Sequence, residues 1–400
     1  MVESAVNILK KMIALPSCSF EEERVADFLQ QWLMEKSCKP GSSGSGFKVI
    51  RLKNNIVAIP ESYDSSLPTL MLNAHIDTVK PAESYTLDPF GATEKDGAIY
   101  GLGSNDDGGC VVCMIHTFLN FTGCVGQKNE RVANINLILM LSAEEERSGA
   151  GGITYAMDVI NGNVCDEKNT ATDLPEGFKI DFAIVGEPTS LKIAVAERGL
   201  LVLDATAYGV SGHAAREEGV NAIYKALEDI EILRNFTFDK VSPIMGKVKL
   251  TVTQINAGTV HNVVPDRCSY VVDIRPTEQY TNPEIVELLQ ASVESDLKAR
   301  NLKNRSSATP ERHILMQAAD ALGIEKFVSP TTSDWMKLEI PAIKVGPGDS
   351  SRSHKADEYI KISEIEAGIA LYISLVKKID VIMENCSSMM QGSCRDNNEN

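Results

Sequence analysis

The sequence predicts an α/β protein in which a mixed, largely parallel sheet flanked by helices is interrupted by an inserted ferredoxin-like α+β domain. Short apolar runs alternate with helical segments up to residue 197, a pattern typical of parallel sheets. From residue 198 the order changes to strand, helix, strand, strand, helix. The α/β pattern resumes at residue 305, so we expect a discontinuous domain of 1–197 and 305–384 around an insertion of 198–304. The chain of 400 residues is long enough for two domains.

The elements of the discontinuous domain are predicted from the spacing of apolar residues. Helices are expected where these residues recur at helical spacing: 4–14, 21–36, 109–119, 311–322 and 363–382. Strands are expected at short apolar runs: 48–59, 69–74, 134–141, 181–185 and 342–345. A Ser/Gly-rich loop is expected at 37–47, and the polar tail 385–400 is expected to be disordered.

The inserted domain carries the same kinds of signal in a different order. Strands are predicted at 199–208, 247–256 and 270–274, and helices at 222–233 and 283–298. This succession is similar to that of a ferredoxin-like unit.

Composition excludes several classes of function. The 55 acidic residues exceed the 39 basic ones and give a net charge of −16, which argues against a nucleic-acid partner. No window approaches the roughly 18 consecutive apolar residues of a transmembrane helix, so we expect no membrane partner. The N-terminal segment carries an early glutamate and two lysines, which indicates an amphipathic helix and not a signal peptide. Nine scattered cysteines predict reduced thiols in a cytoplasmic protein.

Histidines and carboxylates follow several of the predicted strands or lie in a glycine-rich turn. Because ligands bind at the carboxyl ends of strands in open α/β sheets, side chains at these points can converge. The segments are TLMLNAHIDTVKP (69–81), YGLGSNDDGG (100–109), LILMLSAEEERSGAGG (137–152), FAIVGEPTS (182–190) and AIKVGPGDSSRSHKADEY (342–359).

Each segment also has an ordinary structural explanation. His75 and Asp77 fit a metal ligand and the carboxylate that orients it, although a packed histidine beside a solvated aspartate is commoner. Asp106 and Asp107 fit a ligand loop or a helix cap, and their charges argue against phosphate binding. The three glutamates at 144–146 would repel one another unless they shared a cation or protons, and a solvated acidic turn is the alternative.

Glu187 and His354 are weak signals by themselves, since capping glutamates and loop histidines are common. Taken together, two histidines and several carboxylates at equivalent strand ends favour zinc, cobalt or manganese over calcium, which prefers oxygen ligands. Cys110 and Cys113 share one face of a helix and could form a redox pair, but buried reduced thiols are the commoner state.

The ordered set HIDT, GLGSNDDGG, SAEEE, VGEPTS, GHAA and SHKADE resembles the dinuclear-metal family of aminoacylases, acetylornithine deacetylases, succinyl-diaminopimelate desuccinylases and carboxypeptidases. The resemblance extends from residue 5 to residue 380. Acetylornithine deacetylase-like members, including those that act on succinylated ornithine or acetylated citrulline, are the most similar. The stretches AERGLLVLDATAYGVSGHAAR and KVGPGDSSRSHKADEYI carry that similarity.

The resemblance implies a site for two divalent metal ions, Zn²⁺ or Co²⁺. Asp106 would bridge the two ions. His75 and Glu187 would complete one set of ligands, and Glu146 and His354 the other.

The resemblance also implies roles for the residues around these ligands. Glu145 would be the general base, with Glu144 at the family's aspartate position, although three consecutive glutamates also allow a register shifted by one residue. Asp77 matches the carboxylate that orients the first histidine.

The inserted domain resembles the family's lid, which also forms a homodimer. His213 matches the histidine that reaches the partner subunit's site and stabilises the oxyanion. Asn262, Arg275 and Gly346 match substrate-binding positions, and the arginine would hold the α-carboxylate of the substrate.

The chain departs from the family pattern at two positions. Gly108 stands where lysine is frequent, and Arg216 stands where proline is frequent. Arg216 is either a surface residue or a partner for a further substrate carboxylate, such as a succinyl group.

The implied reaction is hydrolysis of a small N-acyl-L-amino acid, with N2-acetyl-L-ornithine in arginine biosynthesis as the leading substrate. A succinyl-ornithine or acetyl-citrulline deacylase is an alternative, and so is a dipeptidase or carboxypeptidase with the same ligands. An inactive binding protein is disfavoured because every ligand position holds a suitable residue. A phosphate-binding protein is disfavoured because the glycine-rich loop is acidic.

Overall fold

The computed structural model describes residues 1–37, 46–123, 132–164, 173–216 and 218–395, with side chains up to Cys386. The helices are α1 (Val2–Ile13), α2 (Glu23–Lys36), α3 (Gly109–Thr122), α4 (Ile153–Ile160), α5 (Ala222–Asn235), α6 (Asn282–Gln290), α7 (Ile314–Ala321) and α8 (Ile362–Arg395). Short helical turns lie at Ser104–Gly108, Asp334–Lys337 and Ser350–Arg352.

The strands are β1 (Phe47–Leu52), β2 (Asn55–Pro60), β3 (Thr69–His75), β4 (Thr93–Lys95), β5 (Ala98–Tyr100), β6 (Asn136–Ser142), β7 (Phe182–Val185), β8 (Ile193–Glu197), β9 (Leu201–Tyr208), β10 (Gly212–His213), β11 (Lys249–Ala257), β12 (Val263–Val264), β13 (Arg267–Arg275), β14 (Asp296–Ala299), β15 (Ser307–Ala308), β16 (Lys326–Ser329), β17 (Ala342–Lys344) and β18 (Tyr359–Lys361). None of the described helices is long and apolar enough to cross a membrane.

The chain divides into two compact units. The first unit comprises 1–195, 309–327 and 333–400, and the second comprises 196–308 and 328–332. The predicted insertion 198–304 overlaps the second unit, and its assignment as a lid and dimerisation domain stays a prediction.

A mixed sheet forms the centre of the first unit, with strand order β1-β2-β6-β3-β7-β17-β8. The four strands β6, β3, β7 and β17 are parallel, so their carboxyl ends meet at one edge. Strands β1, β2 and β8 run antiparallel to their neighbours. The structure therefore confirms the predicted mixed, largely parallel α/β sheet.

Alternate side chains of the central strands point to opposite faces of this sheet. Leu70 and Leu72 of β3 join a buried cluster with α1, α2, α3 and α8. Met71, between them, joins a second cluster with α4. Because both faces are covered by helices, the parallel strands are buried at every position and mostly apolar.

The second unit contains a four-stranded antiparallel sheet with strand order β11-β13-β9-β14. Helices α5 and α6 pack against it through Ala226, Leu233, Ile285 and Leu289. The succession β9-α5-β11-β13-α6-β14 is that of a ferredoxin-like unit. A short ladder of β10 and β12 lies outside this sheet.

Two predicted elements are wrong in their extent. The run 48–59 is a hairpin of β1 and β2, because Lys53 adopts a φ of 53° and turns the chain between Leu52 and Asn55. The predicted helix 283–298 ends at Gln290, and its last residues belong to strand β14.

The physical reason for the shorter helix lies in a distant side chain. The buried carboxylate of Asp229 accepts the backbone N–H groups of Glu294 and Ser295 at 3.0 and 2.8 Å. This turn leads the chain into β14, where Leu297 lies opposite Ala205 of β9. Tertiary contacts therefore override the local helical spacing.

The two predicted irregular segments extend partly beyond the described residues. Residues 38–45 of the Ser/Gly-rich loop and residues 396–400 of the tail lie outside them. The structure describes 385–395 as the end of α8, whereas the sequence predicted disorder from 385. No proline occurs in α8 to end the helix earlier.

Candidate metal centre

The carboxyl edge of the four parallel strands carries the predicted ligands. His75 is the last residue of β3, and Glu146 follows β6 by four residues. Glu187 lies two residues after β7, and His354 lies in the segment that follows β17. Asp106 lies in the turn Ser104–Gly108, immediately before α3.

Asp106 lies between the two histidines. Its Oδ1 is 3.1 Å from Nε2 of His75, and its Oδ2 is 3.7 Å from Nε2 of His354. The same nitrogen of His354 is 3.0 Å from Oε1 of Glu146. One carboxylate therefore presents an oxygen to each histidine, which is the arrangement that a bridging ligand needs.

Glu187 and Glu145 reach the same cluster from another side. The ligand atoms of His75, Glu145 and Glu187 lie within 4.8 Å of one another, and so do those of His75, Asp106 and Glu146. Either group could hold a metal ion. The structure thus brings all five predicted ligands together, although it groups Glu187 with Glu145 and not with Asp106.

The cluster concentrates negative charge around the buried His75, and Glu145 and Glu187 are half-buried. Burial raises the pKa of Glu145 well above its ordinary value, the opposite charge of His75 counteracts this, and Asp334 adds to the rise. Burial and the charge of Asp106 likewise raise the pKa of Glu187. Buried carboxylates at such distances need protons or cations to balance them, and a set of imidazole and carboxylate groups fits two divalent metal ions.

The two histidines are stabilised in their charged form. The hydrogen bond with Glu146 raises the pKa of His354 to about 9, against the effect of burial. Burial disfavours a charge on His75, but its hydrogen bonds to Asp106 and Asp77 raise its pKa well above the ordinary value.

Asp77 organises the backbone of this centre. Its Oδ1 accepts the N–H of Glu145 at 2.9 Å, and its Oδ2 accepts that of Glu146 at 3.1 Å and the hydroxyl of Ser19 at 2.7 Å. Nδ1 of His75 lies 3.0 Å from the Asp77 carbonyl oxygen and 3.5 Å from Oδ1. A proton on Nδ1 leaves Nε2 as the atom that can bind a metal ion.

Asp107 has a different environment from its neighbour Asp106. Its Oδ2 accepts the backbone N–H of His75 at 3.3 Å, and burial raises its pKa to about 8. Asp107 thus contacts the backbone of His75, and it belongs to neither of the two groups of possible ligands.

The sequence was also compared with models of known protein families. The model of peptidase family M20/M25/M40 matches residues 71–378. The chain belongs to this family. The match confirms the resemblance found in the sequence.

Curated relatives and solved structures agree with this membership. Succinyl-diaminopimelate desuccinylases of Xanthomonas oryzae pv. oryzae and Corynebacterium glutamicum are 27% and 26% identical over 340 and 371 residues. The alignments cover 80% and 90% of this chain and 85% and 92% of theirs. An M20 family metallo-carboxypeptidase from Sulfolobus solfataricus has a TM-score of 0.68 at 17% identity, covering 94% of this chain and 99% of its own.

A dinuclear metal-binding M20 peptidase from Bacillus subtilis also shares the fold, with a TM-score of 0.68 at 14% identity, covering 96% of this chain and 98% of its own. This M20 chain is therefore a metallohydrolase that acts on amide bonds, as the sequence predicted. The His/Asp/Glu cluster offers two groups of side chains that could each hold a metal ion.

The predicted site residues of the second unit lie in two separate elements, the β10–β12 ladder and strand β13. His213 lies opposite Val263 in the β10–β12 ladder, and the N–H of Ala214 donates to the carbonyl of Asn262 at 3.1 Å. Arg275 ends β13, and its guanidinium pairs with Asp273 at 2.8 and 3.1 Å. His213 and Asn262 are thus neighbours, and both are exposed.

Two glycines singled out in the sequence occupy crowded positions. A Cβ at Gly346 would lie 2.3 Å from Sγ of Cys110 and 2.6 Å from the carbonyl oxygen of Glu187. A Cβ at Gly108 would lie 2.5 Å from the carbonyl oxygen of Gly103. The backbone arrangement around the ligand turn therefore accounts for glycine instead of lysine at position 108.

The thiols of Cys110 and Cys113 are buried, and burial raises the pKa of both above the ordinary value. Protonated thiols are poor nucleophiles, so their surroundings favour buried reduced cysteines over a redox pair.

Sequence reasoning missed two acidic residues of this centre. Glu358 is buried and bonds to the turn that carries Asp106. Asp334 is buried near Glu145, and its Oδ2 accepts the hydroxyl of Ser142 at 2.6 Å. Glu358 lies inside the motif SHKADE, and this motif was the available signal.

Proposed function

We propose that this chain removes the N-acyl group from an N-acyl-L-amino acid, with N2-acetyl-L-ornithine as the leading substrate. The observation that supports the reaction is the position of Glu145. This carboxylate lies in the same half-buried cluster as His75 and Glu187, and its pKa is raised. A carboxylate whose pKa is raised above its ordinary value is suited to general acid–base catalysis.

The donor set supports two divalent ions, Zn²⁺ or Co²⁺. His75, Asp106 and Glu187 would hold one ion, and Asp106, Glu146 and His354 the other. When bound, such ions act as Lewis acids on the amide carbonyl and lower the pKa of a water molecule. Asp77 would keep His75 in the correct tautomer and fix the backbone that carries Glu145 and Glu146.

Glu145 would take the proton of the attacking water and deliver it to the leaving α-amine. His213 would donate a hydrogen bond to the oxyanion from Nε2, in the partner subunit's site. The N–H of Ala215 points to Nδ1 of His213 at 3.2 Å, so a neutral ring carries its proton on Nε2. A donor aimed at the oxyanion stabilises the transition state more than the substrate.

Arg275 would bind the α-carboxylate of the substrate, with Asn262 and Gly346 as further contacts. Its guanidinium already pairs with Asp273, which fixes the orientation of the fork. Asn262 is adjacent to His213, so the two paired segments of the β10–β12 ladder would supply both the oxyanion donor and a substrate contact.

A succinylated amino acid is the second candidate substrate. The curated relatives named above are succinyl-diaminopimelate desuccinylases, and their substrate carries an additional carboxylate. Arg216 is exposed three residues after His213 and could bind that group. Peptide substrates remain the alternative, because the family also contains carboxypeptidases.

A substrate panel tests the proposal. Purified protein, stripped with a chelator and reloaded with Zn²⁺ or Co²⁺, would be assayed on N-acetyl-ornithine, N-succinyl-ornithine, N-acetyl-citrulline, N-succinyl-diaminopimelate and dipeptides. We expect metal-dependent release of ornithine, fastest from the acetylated substrate. Faster cleavage of succinylated substrates would select the second candidate, and cleavage of dipeptides alone would contradict both.

A further inference from the structure

Glu358 makes a set of hydrogen bonds that no role assigned so far explains. Its Oε1 accepts the backbone N–H groups of Asn105 and Asp106 at 2.8 and 2.9 Å, and its Oε2 accepts that of Gly103 at 3.1 Å. The residue is only 2% exposed. Three donors of one turn therefore converge on a single buried carboxylate.

The turn needs such an acceptor because its backbone is irregular. Asp106 has φ and ψ of −121° and 96°, so it does not continue the helical path on either side. A buried N–H without a partner costs about 1–3 kcal/mol. A carboxylate that accepts three N–H groups fixes the position of the turn.

Glu358 also connects two ligand segments. It follows His354 by four residues, and its own carbonyl accepts the N–H of Gly101 at 2.9 Å. Strand β18 begins at the next residue and pairs with β5, which leads into the turn of Asp106. Both the backbone and the side chain of Glu358 therefore connect the segment of His354 to the segment of Asp106.

We propose that Glu358 is a positioning residue for the metal centre, which holds the bridging Asp106 in register with His354. The inference rests on the proposed function, because it takes Asp106 and His354 as ligands. Without the carboxylate, the turn would have three unsatisfied donors and Asp106 would lose its fixed distance to the second histidine. Glu358 itself would not bind a metal ion, because the ligand is Asp106.

Metal affinity and the absorption spectrum of bound Co²⁺ test this role independently of turnover. For Glu358→Ala we expect metal binding weaker by about 10- to 100-fold and altered Co²⁺ bands, as for other residues that support metal ligands. Glu358→Gln keeps one acceptor oxygen but turns an N–H₂ group toward a donor. This variant should also weaken metal binding, but by a smaller factor than Glu358→Ala. It can be measured in place of the alanine variant if that variant does not fold.

Asp229→Ala is the matched control. Asp229 is also a buried carboxylate that accepts two backbone N–H groups, but it lies in the second unit. It should lower thermal stability and leave metal affinity and the Co²⁺ spectrum unchanged. Folded Glu358 variants with wild-type affinity and spectrum would overturn the inference. Failure of the wild-type protein to bind two ions would instead overturn the proposed function.

Discussion

Glu144 and Glu145 are adjacent, but their side chains have different surroundings. Glu144 has a φ of 58°, and its Oε2 accepts the N–H of Gly151 at 2.7 Å. Glu145 instead reaches His75 and Glu187. This difference supports the register in which Glu145 is the base and Glu144 shapes the loop.

Exchange of each glutamate for glutamine tests the register. Glu145→Gln should lower kcat by about 10²- to 10⁴-fold, because the amide cannot take up the proton, while two metal ions still bind. Glu144→Gln should keep most of the activity, since an amide oxygen can still accept the Gly151 N–H. Steady-state kinetics and metal analysis of both variants measure this. A larger loss in Glu144→Gln would contradict the assigned register.

Asp77→Asn tests the carboxylate behind the first histidine. Asp77 accepts the N–H groups of Glu145 and Glu146, and an asparagine offers only one oxygen for them. We expect metal affinity to fall by about 10- to 100-fold, measured by titration calorimetry. Asp64→Asn is the control, because the exposed carboxylate of Asp64 accepts hydrogen bonds from the N–H and the hydroxyl of Ser66. Equal affinities of the two variants would show that Asp77 does not support the metal site.

The convergence of the five candidate ligand side chains could be predicted from sequence, because strand ends of a parallel sheet meet at one edge. Their roles as ligands follow from the family resemblance and stay predictions. His75, Glu146 and Glu187 each follow an apolar run, so local patterns were enough. Glu358 and Asp334 could not be assigned in this way. Their partners lie more than 190 residues away along the chain, and only the folded structure brings them to the turn of Asp106 and to Ser142.

At the level of elements, an ion pair connects the turn Ser350–Arg352 to the start of α8. Arg352 donates to both oxygens of Glu364 at 2.7 and 2.9 Å, and the N–H of Lys361 donates to the same carboxylate at 2.9 Å. The Arg352 and Glu364 side chains are 16% and 25% exposed. The pair thus fixes the first turn of α8 to the segment that leads to His354.

This pair predicts a pH-dependent contribution to stability. Burial acts to raise the pKa of Glu364, but Arg352 and the Lys361 N–H outweigh it and lower the pKa below the ordinary 4.5. A lowered folded-state pKa gives stabilisation that is complete above the unfolded-state value and is lost as pH falls through the folded-state value.

Glu364→Gln should therefore lower the free energy of unfolding by about 1 kcal/mol near neutral pH and by less as the medium becomes acidic. Urea unfolding of the metal-free protein at about pH 6 and about pH 3 measures the difference. Glu366→Gln serves as the control, because Glu366 is an exposed residue of the same helix. A destabilisation of Glu364→Gln that does not change with pH would contradict the ionic explanation.

Most of the long elements of the fold follow from apolar spacing, and most of the shortest ones do not. Helices α1, α2, α3 and α7 and the parallel strands β3, β6 and β7 lie close to their predicted ranges. Helix α4 was missed, and so were strand β8 and the strands β4, β5, β14 and β18, which have only three or four residues each. Their pairing partners stabilise them, as with Leu297 opposite Ala205, and partners far along the chain leave no local pattern.

At the level of the whole molecule, the second unit exposes apolar side chains that support the proposed homodimer. They include Tyr208, Val210, Tyr224, Leu227 and Ile255. Strand β11 is the edge of its sheet, and most of its residues are exposed. Exposed apolar groups beside an unpaired strand edge are typical of surfaces that associate.

Mixing two inactive variants tests whether His213 acts in the partner subunit's site. His213→Ala lacks the proposed oxyanion donor, and Glu145→Gln lacks the base. If His213 acts across the dimer, a mixed dimer contains one site with both groups intact, because the Glu145→Gln subunit supplies His213 to its partner. Random exchange of subunits at equal concentrations should then restore about a quarter of the wild-type activity.

Sedimentation experiments on the mixture must show dimers, and subunit exchange is followed with differently tagged chains. The two variants assayed separately provide the baseline. Activity that stays at this baseline after exchange would mean that His213 acts within its own subunit or not at all. Activity that rises only after exchange would require a site built from two chains, because neither variant alone contains both groups.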